Sequence, residues 1–498
     1  MVGLAGAWAL GWLFRVSFPS TPSAASAADG SGESIRAGTH RRLDEVRVLR
    51  RRQLTEYLDR VKTQAGAIRD DGLMRRTFKL LLEYQRICRN GQPTEKLIRA
   101  TDYIKDDAFR YWLDEYATFY GILFVSADGT VFHTVGRKGY LGRNLLRGEF
   151  TDTSLARRLH ESPSQAFVDF EYSAVSREPS AFFVEPVYFD GDFSGWFILQ
   201  CSVNKINNIF ARNRRLGDSG EAFLVNENCQ MLTDSRFRRD SSILTQHLSP
   251  RNIHGKFDEG RGHKIVTDYR GVRAITSFEV CTVMDVKWLL VAKIDEAEVI
   301  TDHYQHNRAR LREPLVAAMR QQAMPTCEPA DQPLEAIVVD MDEFRRARRG
   351  EKIRTHGVRT CTAVMIYLPG EFAYLGHLSN YDAIYGREGL DVLGQMIDSV
   401  KTYEICPYRL RDLRAVIVAP HVQSVDRAID KLVDKGLFLS QIRFAHDGSA
   451  RNAAIWHDVS SGRTTIQWNP HKSGESPTYQ DPAEGPTVGD VAKTLVDF

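Results

Sequence analysis

The sequence predicts an α+β protein: a long N-terminal helix, two antiparallel-sheet units in tandem, and a third, α/β unit at the C-terminus. Three observations lead there. Apolar residues recur at intervals of three and four between Arg41 and Arg89 (Leu43, Val46, Leu49, Leu54, Tyr57/Leu58, Val61, Ala65, Ile68), the spacing of an amphipathic helix. Strand runs around Asn- or Asp-containing turns then occur twice in succession. A Pro-rich stretch, 325–333, separates them from a third block of alternating text.

The bulk numbers agree with several folded domains. A length of 498 residues, 43% hydrophobic and 26% charged, is ordinary for soluble globular units, each able to bury a core. Sixty-six basic residues against 64 acidic ones leave a net charge of +2, so no nucleic-acid surface is expected. The arginines of 42–52 alternate with Leu43, Val46 and Leu49 and read as the solvated face of the first helix. The seven cysteines (Cys88, Cys201, Cys229, Cys281, Cys327, Cys361 and Cys406) form no CxxC pair and none has a metal-ligand spacing to histidine. Neither a metal nor an organic cofactor is expected.

Val2–Phe14 is apolar throughout and is followed by a Ser/Pro/Ala stretch ending Ala25-Ser-Ala-Ala28. A short apolar run before an A-x-A site is the pattern of a signal peptide, expected over 1–28, which would place the rest in the periplasm or outside the cell. The basic n-region is missing, and the other reading is an N-terminus with no export role and a cytoplasmic chain. No later segment approaches the ~20 apolar residues of a spanning helix.

Element by element, the long helix is followed by a shorter one over 94–116. A hairpin around Asp128-Gly129, a helix at 152–160 and strands at 165–172, 180–188 and 195–202 complete the first unit, 40–210. Runs 221–225 and 230–234 form a second hairpin, and strands at 262–268, 272–279 and 287–294 complete the second unit, 211–305. A helix over 299–324 and the linker 325–333 follow, the segment 306–333 joining the second unit to the third. The third unit spans 334–470, and 471–498 reads as a flexible tail.

The first two units resemble the double Cache family of extracytoplasmic sensor modules. The text that carries the likeness includes Gly142-Arg-Asn-Leu, Val168-Asp-Phe-Glu-Tyr172 and Pro179-Ser-Ala-Phe-Phe-Val-Glu-Pro186 in the first unit. In the second it includes Gly217-Asp-Ser-Gly-Glu-Ala-Phe-Leu-Val225, Asp268-Tyr-Arg-Gly271 and Trp288 with Asp295-Glu296. The resemblance implies two PAS-like sheets on one long helix and a small-molecule ligand at the distal, first unit. Tyr120, Asp169 and Tyr172 are the polar groups expected to orient it; each has a plainer reading as a turn or backbone partner. Trp288 and Asp295-Glu296 read as packing and capping residues.

In the third unit, Cys361 begins a strand, 360–368, and His377 ends its hairpin partner, 372–378, with Thr355 in the entering loop. A thiol, an imidazole and a hydroxyl brought to one sheet edge are the groups that nucleophilic attack on a carbonyl requires, with loop amides of 358–362 as oxyanion donors. A buried apolar cysteine on a strand is the alternative. The Thr355, Gly357, Cys361, His377 series resembles the chemoreceptor glutamine deamidase CheD, as do Ala428–Gly436 and the closing strands around Asp447-Gly448, Arg451 and 456–467. The likeness implies a CheD-like α/β sandwich with a Thr–Cys–His triad acting on protein glutamine amides or glutamyl methyl esters. One departure stands out: Arg359 occupies a position where the family has glycine. The expectation is a ligand-sensing protein with a deamidase-type C-terminal unit acting on a protein substrate. The alternative is a non-enzymatic sensor in which that unit docks a signalling partner.

Overall fold

The computed structural model describes residues 35–90, 95, 99, 119–136, 138–211, 216–379, 391–404, 407–420 and 425–496. The leader at 1–28, Cys406 and, apart from positions 95 and 99, the helix expected over 94–116 lie outside the described residues.

The apolar stripe buries as its spacing requires. Leu43, Val46, Leu54, Tyr57, Val61, Ala65 and Ile68 of α1 (Ile35–Asp70) enter one continuous core with both tandem sheets, whereas Leu49 is 41% exposed. The helix is not continuous to Arg89. It breaks at Asp71, whose carboxylate accepts from Met74 N at 2.8 Å and so caps α2 (Gly72–Asn90). Nor are all the arginines solvated: Arg47 is buried, pairs with Glu279 and donates from Nε to Ser277 Oγ at 2.8 Å. Local spacing cannot reveal a partner 232 residues away.

The first sheet consists of β1 (Phe119–Ser126), β2 (Val131–Val135), β3 (Ala166–Ser173), β4 (Glu178–Phe189) and β5 (Asp192–Ser202), all antiparallel, in the order β2-β1-β5-β4-β3. Ile122 and Phe124 face the long helices; Leu123 and Val125 face outward, where Tyr140, Leu145, Phe150 and α3 (Ser154–Glu161) cover them. After α4 (Val203–Phe210) the second sheet runs β6-β9-β8-β7, from β6 (Glu221–Asn226), β7 (Arg261–Thr267), β8 (Arg273–Val283) and β9 (Val286–Asp295). Its outer face is covered by α5 (Pro250–Glu259) and by 227–249, in which 230–234 forms isolated bridges rather than the expected regular strand.

The helix expected over 299–324 is two helices, α6 (Glu296–His306) and α7 (Arg308–Arg320), parted at Asn307. Their buried Ile300, Tyr304, Leu311, Leu315 and Met319 pack into the C-terminal unit. That unit is a two-sheet sandwich. One sheet runs β10 (Ile337–Val338), β12 (Lys352–Val358), β17 (Ala450–Asp458), β18 (Arg463–Pro470), β19 (Thr478–Gln480). The other runs β11 (Glu343–Arg348), β14 (Phe372–Leu378), β13 (Thr362–Leu368), β15 (Arg414–Val418), β16 (Ile442–Ala445). Alternation along β13 divides two cores: Ala363, Met365 and Tyr367 point between the sheets, while Val364, Ile366 and Leu368 meet α8 (Val392–Tyr403) and α9 (Val425–Asp434). The segment expected as a flexible tail is, over its described residues 471–496, packed against the unit. It supplies β19 and α10 (Val488–Thr494), and the buried Val488 and Val491 of α10 join the helical core.

Candidate active site and ligand cavity

The triad residues lie on facing sheets. On β12, Ile353 and Thr355 point into the inter-sheet core while His356 is exposed on the other side. Thr355 Oγ1 donates to Val339 O at 2.8 Å and lies 2.9 Å from His377 Nδ1. A hydroxyl carries one proton. With that proton given to Val339 O, Thr355 accepts from His377 Nδ1–H, which leaves the imidazole lone pair on Nε2. Nε2 is buried and has no hydrogen-bond partner. Burial lowers the His377 pKa, against the raising pull of the Asp342 carboxylate, so the ring is held neutral.

Cys361 directly precedes β13 and shares the inward face with Ala363, the residue paired with His377. It therefore stands diagonally across from the imidazole, a relation of about 7–8 Å between Cα atoms in an antiparallel pair. The structure joins Thr355 to His377 and places Cys361 beside them, without a hydrogen bond from the thiol to Nε2. Thr355, His377 and Cys361 are all buried, at 1%, 3% and 5% exposure. Arg359 is not among the described residues with positive φ; the left-handed position in this loop belongs to Gly357 (φ +73°), inside the bulge between Thr355 and Val358. The glycine replaced by Arg359 thus removes no conformation the backbone needs here. Sequence reasoning missed Asp342, whose carboxylate accepts from Ser379 N and Oγ next to His377. Its own amide donates to His377 O at 2.6 Å.

The three residues expected at a distal ligand do not converge. Tyr120 and Ser180 share a hydroxyl hydrogen bond of 2.7 Å, and Ser180 also accepts from Gln200. Asp169 reaches the second unit, where Trp288 Nε1 donates to its Oδ1 at 2.8 Å. Burial pushes the Asp169 carboxyl up to about 6. Tyr172 is 64% exposed. On the outer face of the distal sheet, Leu123, Val125, Val168 and Ile198 pack against Tyr140, Leu145, Phe150, Leu155 and Leu159. Asp295, expected as a cap, makes no side-chain cap; it pairs instead with Arg270 and, at 3.5 Å, with Arg411 of the C-terminal unit.

A cavity of about 120 Å³ lies in the proximal unit, between its sheet and α5. Phe223, Leu248, Ile253 and Val291 supply apolar wall, and Lys256 and Lys293 supply two ammonium groups. Lys293 sits between Glu221, at 3.0 Å, and Asp268, with its Nζ 4.8 Å from the centre of the Tyr269 ring. The signal in the sequence was a lysine one turn after Ile253 on the inward face of α5. Among the described residues no group of three or more His, Cys, Asp or Glu is placed to hold a metal, and no helix is long and apolar enough to cross a membrane.

No family model and no curated protein matches this sequence. Solved structures do, over about half of the chain. The ligand-binding domain of the Pseudomonas aeruginosa amino acid chemoreceptor PctC, in complex with GABA, is 17% identical (TM-score 0.34), covering 52% of this chain and all of that one. The sensory domain of a Campylobacter jejuni chemoreceptor with isoleucine bound is 10% identical (TM-score 0.36), with 53% and 96% covered. An extracellular ligand-binding receptor from Desulfohalobium retbaense is 12% identical (TM-score 0.35), with 50% of this chain matched to 39% of that one.

Proposed function

We propose that this chain is an extracytoplasmic ligand sensor whose C-terminal unit hydrolyses side-chain amides of a protein substrate through Cys361, His377 and Thr355. The observation that supports the chemistry is the Thr355–His377 bond at 2.9 Å, which fixes the imidazole tautomer with its basic nitrogen unengaged on the face that carries Cys361. In this reaction Nε2 takes the thiol proton and the sulfur attacks the amide carbon. The imidazolium returns the proton to the departing ammonia, and a thioester remains. Water, deprotonated by the same nitrogen, hydrolyses the thioester to a carboxylate and restores the thiol. A glutamyl methyl ester would follow the same course with methanol as leaving group.

A glutamine analogue carrying a diazoketone in place of its side-chain amide tests this on the full chain. The expected result is a stable adduct on Cys361, found by peptide mass spectrometry, that is lost in His377→Ala. An adduct that forms equally well in His377→Ala, or none on Cys361, rejects the hydrolase. The burial of Cys361 and the absence of a thiol–imidazole bond favour a second reading, a sandwich that docks a signalling partner without catalysis.

A further inference from the structure

The proximal cavity holds a cation that the folded chain leaves uncompensated. Lys256 is 3% exposed, and its ammonium donates to Asn252 O, one turn back on α5, at 2.7 Å. An ammonium has three protons to donate. Among the described residues no carboxylate lies within ion-pair distance of it: Glu259, the acid whose field acts on it, is engaged by Lys264, itself a second positive charge near Lys256. Its other neighbour is the Phe278 ring, 5.6 Å from Nζ to centroid.

The second lysine on the wall is the internal contrast. Lys293 is equally buried but held between Glu221 and Asp268, and Asp268 is further saturated by Arg270 and by the amides of Arg270 and Val272. Neither member of that pair is left with an unmet charge. The wall as a whole therefore presents one unmatched positive charge facing a patch of Phe223, Leu248, Ile253 and Val291. His247, Ser249 and Thr267 of the lining are exposed, which gives the cavity a path to solvent.

We propose that this cavity binds a small organic carboxylate, with the acid group on Lys256 and a short apolar tail against Phe223, Ile253 and Val291. Burying an ammonium without a counter-ion is unfavourable, and a bound carboxylate supplies the missing charge. The size of the cavity excludes nucleotides and sugar chains and admits short-chain acids. Burial pushes Lys256 down to about 8, in keeping with an ammonium that lacks a counter-ion. This deepens the sensor half of the function proposed above and is independent of chemistry at Cys361.

The test is thermal unfolding and calorimetric titration of the full chain with butyrate, valerate and succinate, and with butyramide as the uncharged control. At about 10 mM the carboxylate that fits raises the melting temperature by mass action and butyramide does not. Lys256→Met weakens binding of that acid by at least about tenfold. Val291→Phe, which fills the cavity while keeping the lysine, abolishes it. Cys361→Ser binds as the parent does, so loss of hydrolysis and loss of binding are separable results. Butyramide binding as well as butyrate, no acid shifting the parent protein, or Lys256→Met retaining full affinity would each overturn the proposal.

Discussion

Trp288 Nε1 donates a 2.8 Å hydrogen bond to Asp169 Oδ1, joining the proximal sheet to an edge strand of the distal one. The indole is fully buried and packs against Phe167 and Phe170 from the same strand, so one residue makes both an apolar and a polar contact between the units.

The burial of Asp169, which the Trp288 bond offsets only in part, sets a pH dependence. Burial raises the Asp169 carboxyl from 3.8 to about 6. In the window between those values the folded state holds the proton and the unfolded state has lost it, so stability falls as pH rises and the full cost is present above pH 6. Asp169→Asn keeps an acceptor for Trp288 without the charge. It should gain about 1–2 kcal/mol at neutral pH, after discount for partial exposure, and nothing near pH 4. Urea melts of the two proteins at both pH values check this.

Thr355→Val removes the hydroxyl that orients His377 while leaving the β12 backbone and its packing in place. Loss of such an orienting partner costs about 10–100-fold. The expected outcome is that much slower adduct formation at Cys361, with an unchanged melting temperature to within about 1–2 kcal/mol of stability. Pseudo-first-order labelling rates measure it.

Lys256 gives a prediction of the opposite sign for stability. Its ammonium is lowered from 10.5 to about 8, so its burial cost is fully present below pH 8 and is relieved as pH rises toward 10.5. Lys256→Met should raise unligated stability at pH 7 by about 2 kcal/mol, and the difference should vanish above about pH 10.5. A variant that is more stable yet binds less is the expected signature, and a pH series of thermal melts reads it.

Half-buried Arg411 and buried Asp295, 3.5 Å apart, link the C-terminal unit to the end of β9. Arg411 also lies over the Phe237 ring, whose centroid is 5.2 Å from its Cζ and 4.3 Å from that of Arg270. Arg411→Met leaves Asp295 with Arg270 alone and Asp295→Asn leaves two guanidinium groups short of a carboxylate. The second substitution should be the costlier, about 3 kcal/mol, and the double variant should recover part of the loss. Chemical denaturation of the four proteins gives the coupling.

Local periodicity made much of this architecture legible. The stripe from Leu43 to Ile68, the hairpin at Asp128-Gly129 and the strand pair that ends on His377 stand where spacing places them, with Cys361 just ahead of its strand rather than on it, because burial on one face is a local demand on the chain. What spacing concealed was set at long range. Arg47 is buried with Glu279 and Ser277 opposite it, Asp295 turns from cap to ion pair because Arg270 and Arg411 reach it, and α10 packs because the C-terminal unit offers Val488 and Val491 a core. The candidate site divides the same way. Residue types and order announced Thr355 and His377, whereas the proton given to Val339 O, which decides the tautomer, belongs to a carbonyl no side-chain motif records.

Helix α6 begins at the residue after β9 and shows two faces to two cores: Val299 packs into the core of the tandem sheets, and Ile300 and Tyr304 into that of the C-terminal unit. Lys493 of α10 holds its first residue, Glu296, at 2.7 Å, and Asp430 of α9 accepts from Tyr304 at 2.8 Å. A rod gripped at both sides cannot turn within one unit and stay seated in the other. Through α6 the end of β9 is thus tied directly to the core that backs the strands flanking Cys361.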